Sequence, residues 1–276
     1  LKYSAKNVTT DTHLPQNRNC FIPTMTQPEE PGNMPDWGNT GIRIFSGSVG
    51  TSSPGNPNAF NRNVKIEADT MGVLYAAFMN SAKDTLFFYR STNRGASWAK
   101  IQALFSGISM TYYSFDFALA DSTEGFKIGM VVSIISPAGT YAGTVYYGDM
   151  KSDGTGFASN TVFAPPAGRG VIGPVICTDA YNWNPGSTYW YIAASNCDMT
   201  TGVTSFVPVA YTPDWGNTWI HDTARSTYND YELDIDYNYD SVYVLMTNNL
   251  TTTNENLRIR AVKLSEWGSN IAWRQV

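Results

Sequence analysis

Three arginines and four tyrosines stand in polar stretches between apolar runs, and their chemistry suits a ligand rich in hydroxyls or bearing a carboxylate. Arg62, Arg169 and Arg225 each offer a planar fork of N–H donors that can grip a carboxylate or a hydroxyl pair. Tyr112, Tyr113, Tyr228 and Tyr231 can lie against a sugar ring while the phenol donates a hydrogen bond. Asp230 and Glu232 flank Tyr231 and add acceptors. Cleavage of a glycosidic bond by two carboxylates requires them about 5–10 Å apart. With 23 Asp and Glu in the chain, composition alone does not single out a pair. The plainer reading of the arginines is ordinary surface solvation. A second run, Asp234-Ile235-Asp236-Tyr237-Asn238-Tyr239-Asp240, alternates oxygen ligands in a way that suits calcium. Tyr239 and Leu245 occupy the places where an EF-hand loop carries glycine and glutamate, and a strand with its hairpin explains the same alternation of Asp234, Asp236, Asn238 and Asp240. No other metal-ligand spacing occurs, so no cofactor is expected beyond that calcium alternative. Two histidines, no Gly-x-Ser-x-Gly and no phosphate loop leave serine-hydrolase and nucleotide chemistry unsupported.

The elements that must carry these residues are set by a recurring phrase. Thr212-Pro213-Asp214-Trp215-Gly216-Asn217-Thr218-Trp219 fits Ser/Thr-x-Asp-x-Gly-x-Thr/Ser-Trp, and Ser91-Thr92-Asn93-Arg94-Gly95-Ala96-Ser97-Trp98 fits it with Asn for Asp. Pro35–Thr40, with Asp36 and Gly38, repeats six consecutive residues of the first, and Met150–Phe157 keeps Gly154 and a terminal aromatic. The chemistry of the phrase is that of a tight turn. Asp or Asn bonds the backbone two residues on, Gly permits a positive φ, and Trp98 or Trp219 opens the next strand by entering a core.

The phrase glycines Gly38, Gly95, Gly154 and Gly216, with Gly268 as a fifth, recur at intervals of 57, 59, 62 and 52 residues. Before each of the last four stands an apolar strand ending in Asp (Asp69, Asp121, Asp179, Asp236), then a turn and a stronger apolar strand. The repeated Asp residues read as Asx turns that end strands. Each unit therefore predicts four short antiparallel strands with the phrase at the third turn, and no helical periodicity is sustained. Four-stranded sheets at fixed period predict an all-β propeller. Residues 1–46 are expected to form a partial or closing blade. Residues 47–106, 107–165, 166–224 and 225–276 are expected to form blades, five in all, or part of six or seven if the chain is a fragment.

With these turns, the chain resembles the Asp-box (BNR-repeat) proteins, the sialidase-like group of β-propellers that bind or cleave sugars. The resemblance implies that the boxes are structural turns away from any active site. It also implies what a catalytic member would carry: an arginine cluster on a substrate carboxylate, a tyrosine nucleophile paired with glutamate, and an aspartate as acid/base. Asp230, Tyr231 and Glu232 are the candidates for the last three roles. The Arg-Ile-Pro motif of that group is missing; Gly41-Ile42-Arg43-Ile44-Phe45 follows a box and lacks the proline. Tyr231 and Glu232, adjacent on a strand, are expected to point to opposite faces, which weakens them as a pair.

Composition agrees with an extracellular all-β chain: 276 residues, 42% hydrophobic, 14% aromatic and only 15% charged. A net charge of −5 argues against nucleic acid or an anionic membrane as partner, and no apolar run reaches the roughly 18 residues of a membrane span. Beginning at Leu1, the chain fits removal of a leader or a trimmed terminus. Of three cysteines, Cys177 and Cys197 fall on neighbouring strands, so a disulfide between them and three buried thiols are both open. The expected function is binding of carbohydrate or a surface glycoconjugate outside the cell, on the face opposite the boxes. The alternatives are a divergent sialidase-like hydrolase and a structural or adhesive module that contacts other copies or a larger surface protein.

Overall fold

A computed structural model describes residue 44 and residues 64–80, 82, 84–108, 112–120, 126–135, 142–179, 189–198, 204–224, 229–238, 240–251, 254–267 and 274–275. The strands among them all belong to the compact unit Arg43–Val276. They form four antiparallel four-stranded sheets. Blade I holds β1 (Val64–Ala68), β2 (Leu74–Met79), β3 (Leu86–Ser91) and β4 (Ala99–Leu104). Blade II holds β5 (Tyr112–Ala120), β6 (Lys127–Ile135), β7 (Ala142–Lys151) and β8 (Ala158–Phe163). Blade III comprises β9 (Arg169–Thr178), β10 (Trp190–Asp198), β11 (Thr204–Thr212) and β12 (Ile220–Ala224). Blade IV comprises β13 (Asn229–Asn238), β14 (Ser241–Thr251), β15 (Asn254–Lys263) and β16 (Arg274–Gln275).

Burial follows position within the blade. The second strands β2, β6 and β10, rich in β-branched and aromatic residues, are buried on both faces, whereas the fourth strands β4, β8 and β12 open with exposed residues. The first strands β1, β5, β9 and β13 touch one another in sequence, blade to blade, so they line a common axis. The fold is a β-propeller.

Three apolar cores lie between the described blades. Tyr75, Phe88, Phe115 and Phe117 lead the first, Tyr147 and Trp190 the second, and Tyr191, Val209, Leu233 and Val244 the third. Each fully buried large side chain contributes about 1.5–3 kcal/mol, against about 0.5–1.5 for a typical hydrogen bond. Packing between blades therefore dominates, and the polar contacts described below set register.

Several strands begin earlier than their apolar residues do. Tyr112, Tyr113 and Arg169, expected in connections, lie on β5 and β9, and Asp230, Tyr231 and Glu232 lie on β13. The reason is shelter between blades: Ser114 pairs across strands with Ser133, and both are buried although neither is apolar. Cys177 and Cys197 do fall on neighbouring strands, β9 and β10, but Cys177 pairs with Tyr191 and Cys197 with Gly170, toward opposite ends, and both thiols are free.

Candidate functional site

The two full boxes form the same turn. Gly95 N–H donates to Ser91 Oγ and Ser97 N–H to Asn93 Oδ1, each at 2.8 Å. Gly216 N–H donates to Thr212 Oγ1 and Thr218 N–H to Asp214 Oδ1, again at 2.8 Å. The Asp or Asn thus bonds backbone four residues on, where the sequence suggested two. Arg94 and Gly95 (φ 58° and 88°) match Trp215 and Gly216 (59° and 87°). The partial box differs, because Asp153 accepts from Thr155 N–H, two residues on, yet Gly154 keeps φ 87°. Asp36 and Gly38 of the first copy lie outside the described residues.

Each later box sits on the preceding blade. Gln102 Nε2 of β4 donates to the Gly154 carbonyl at 3.1 Å, and Asn160 Nδ2 of β8 donates to the Gly216 carbonyl at 2.9 Å. A Cβ on Gly154 would stand 2.3 Å from the Ile101 carbonyl oxygen, and one on Gly216 would stand 2.4 Å from the Tyr147 ring. Trp219 meets that ring edge-on at 5.2 Å. At Gly95, by contrast, only Leu74 Cδ1 lies within reach, at 3.6 Å, and Trp98 Nε1 turns back to donate to the Gly95 carbonyl.

On the same face as the boxes, Asp69 accepts the Met71 and Val73 N–H groups at 2.9 Å, an Asx turn at the strand end. Asp179 accepts the Tyr189 N–H at 2.8 Å, and burial pushes its carboxyl up to about 6. Beside it run stacked and edge-on aromatics: Tyr191 on Tyr237 at 5.3 Å and Tyr211 against Trp267 at 5.1 Å. These belong to the core between blades III and IV.

The axis carries the charged cluster that sequence reading missed. Asp116, in the middle of β5, is 1% exposed. Its Oδ2 accepts the Ile176 N–H at 3.0 Å, and its Oδ1 accepts from the Lys65 ammonium of β1. Ile176 lies opposite Ile192 of β10, yet its N–H goes to Asp116, so that group points off the free inner edge of β9. The Asp116 carboxylate therefore sits where three inner strands converge. Lys65 also lies 3.2 Å from Glu67 Oε1 and over the Phe117 ring at 5.7 Å. A polar residue inside the apolar run Phe115-Asp116-Phe117 was the available signal. The repeat masks it, because Asp121, five residues on, is the Asp that recurs in step with Asp69, Asp179 and Asp236.

The sequence candidates disperse. Arg169, half-buried, donates from Nε to Asn196 Oδ1, which is buried. Arg62, Arg225 and Tyr228 lie outside the described residues; Tyr112, Tyr113, Asp230, Tyr231 and Glu232 are described in backbone only. The register of β13 shifts between Tyr231 and Leu233, making Glu232 the extra residue of a bulge and removing the simple alternation argument. Asp234 and Asp236 occupy exposed positions of β13, and Asp240, in the hairpin turn, accepts the Ser241 hydroxyl at 2.8 Å and lies 3.8 Å from Lys263. The calcium candidates are thus spread along a strand and hairpin, and among the described residues no group of three His, Cys, Asp or Glu could hold a metal. No helix among the described residues is long and apolar enough to cross a membrane.

Solved structures share this architecture. A protein of unknown function from Dyadobacter fermentans DSM 18053 superposes with a TM-score of 0.52 at 11% identity, over 76% of this chain and 62% of that one. The likeness is one of fold. A GH43 β-1,3-galactosidase is similar at a TM-score of 0.46 and 13% identity, over 77% of this chain and 44% of that one. A Hadza microbial sialidase is similar at 0.44 and 14%, over 76% and 43%. The chain thus spans from under half to about three-fifths of the length of these structures. No protein-family profile matches the sequence, and no curated protein matches it.

Proposed function

We propose that this chain is a β-propeller of the Asp-box kind that binds carbohydrate or a surface glycoconjugate outside the cell without turning it over. The observation that carries this reading is the state of Asp116. An acid/base group must reach the proton it transfers, and Asp116 has both oxygens engaged and 1% exposure. The accessible groups beside it, Lys65 and Glu67, offer a donor and an acceptor suited to hydroxyls. Two box turns with matched hydrogen bonds and dihedrals support the Asp-box resemblance, which rests otherwise on sequence alone.

A divergent sialidase-like hydrolase is the second reading. One observation favours it: Lys65 draws the Glu67 and Asp116 carboxylates into one cluster, and a pair of carboxylates is what two-carboxylate hydrolysis employs. A glycan-array screen run beside turnover assays on fluorogenic glycosides, sialosides included, separates the two. Binding without turnover supports the first reading, turnover establishes the second, and silence in both removes each in favour of a structural or adhesive module.

A further inference from the structure

We propose that Lys65 and Glu67 are the ligand-contacting pair of a site on the propeller axis, that Asp116 is the residue positioning Lys65, and that the site takes a neutral polyhydroxylated ring in preference to an acidic sugar. The proposal rests on the carbohydrate-binding reading and assigns it residues and a ligand class.

The assignment begins with which groups are reachable. The Asp116 side chain is 2% exposed, Lys65 20% and Glu67 38%. A solute can therefore touch the second and third but not the first. Lys65 and Glu67, two apart on β1, project to the same side of the strand. An ammonium has three N–H donors and a carboxylate two acceptor oxygens. With one proton on Asp116 and one directed at Glu67, a third proton and the second Glu67 oxygen remain for a solute. Donor and acceptor side by side match the adjacent hydroxyls of a sugar ring, each of which both donates and accepts. Asp116, anchored by the Ile176 N–H, fixes the lysine in one place, so less freedom is lost when the ligand arrives. Ser114 marks the same face of β5 two residues earlier. It is 1% exposed, with a hydroxyl that bonds nothing among the described residues, an arrangement that buried polar groups rarely keep.

Charge decides the ligand class. At the cluster one cation faces two carboxylates. Asp234 and Asp236 occupy exposed positions on β13, the inner strand packed against β9. An anionic sugar approaching this axis would meet net negative charge, and like-charge juxtaposition rejects partners effectively. A neutral ring meets no such barrier.

The test is a glycan array printed with neutral and sialylated glycans, read on the wild type, Lys65→Met, Lys65→Arg, Glu67→Gln and Asp116→Asn, each checked by thermal melting. The expected pattern is wild-type binding to neutral glycans, with affinity lowered roughly tenfold to a hundredfold in Lys65→Met and Glu67→Gln and partly restored in Lys65→Arg. Asp116→Asn, which frees Lys65 from its ion pair and removes one of the two carboxylates, should weaken binding to neutral glycans and relax the discrimination against sialylated ones. Wild-type binding that survives both Lys65→Met and Glu67→Gln in folded proteins overturns the axial site and leaves the carbohydrate reading standing. Preference for sialylated glycans overturns the charge argument, and a wild type silent on every glycan overturns this proposal together with the reading beneath it. Lys65→Arg and Glu67→Gln preserve size and polarity, so the comparison holds even if Lys65→Met fails to fold.

Discussion

Substituting Gly216 by alanine isolates the contact between a box and the blade before it. Gly95, Gly154 and Gly216 have φ of 88°, 87° and 87°. Alanine therefore meets the same left-handed strain at each, about 1–2 kcal/mol. What differs is the neighbour. At Gly95 the new methyl finds Leu74 at 3.6 Å, an ordinary contact; at Gly216 it lands 2.4 Å from the buried Tyr147 ring. Overpacking of that kind costs about 1–3 kcal/mol more. For a domain of this size each kcal/mol moves the melting midpoint by about 2–4 °C, so Gly216→Ala should melt roughly 2–12 °C below Gly95→Ala. Gly154→Ala should fall at least as far, since the atom it meets, the Ile101 carbonyl oxygen at 2.3 Å, is backbone and cannot rotate aside. The assay is differential scanning calorimetry on the three variants under one buffer. Equal midpoints across the three would show that the boxes are not seated on the preceding blades, and the blade order around the axis would fall with them.

Trp219→Ala removes a ring packed edge-on against Tyr147 and should cost about 3 kcal/mol, near the low end for large aromatics because Trp219 is only half-buried, as read from the denaturant midpoint. Asp116→Ala leaves Lys65 without its buried counter-charge and should cost about 3–5 kcal/mol, whereas Asp116→Asn, which keeps an oxygen for the Ile176 N–H, should cost less; equal losses would refute the ion-pair account. Asp179 supplies a pH test. Its folded carboxyl titrates near 6, above the ordinary value of 3.8, so the folded state holds the proton longer than the unfolded chain does. Stability should fall as pH rises from about 4 to about 6, by at most about 3 kcal/mol. Asp179→Asn should lack that decline, and a wild-type profile parallel to the variant's across this window would refute it. Arg169→Ala takes a donor from the buried Asn196 and should lower stability by about 1–3 kcal/mol, measurable by urea titration.

The scaffold was legible because it repeats. Box glycines at near-constant intervals and apolar runs ending in Asp located the four described sheets, since turn chemistry and alternation act within a few residues. Strand ends were less legible: Ser114 and Ser133 are polar, and only the neighbouring blade, far away in sequence, makes them interior. The axial cluster was illegible for the same reason. Lys65, Asp116 and Ile176 belong to three blades, and nothing local distinguishes a lysine two residues into a strand from one in solvent. Conversely, residue type marks an arginine or a tyrosine as able to bind a sugar but carries no information on where its side chain points. Arg169, whose side chain is described, turned out to serve a buried asparagine.

The amide clasps from Gln102 and Asn160 also explain why the repeat fades unevenly along the chain. What the preceding blade reads is a carbonyl and an empty space where a side chain would be, not the hydroxyl and carboxylate that shape the turn from within. The two demands can therefore drift apart. In the turn around Gly154 the internal pattern has decayed to Lys151-Ser152-Asp153, while the glycine demanded from outside, with its left-handed backbone, remains. A search tuned to the full phrase will overlook such turns. One tuned to a spaced glycine, together with an Asn or Gln six or seven residues past the glycine of the blade before, asks for what adjacent blades require of each other.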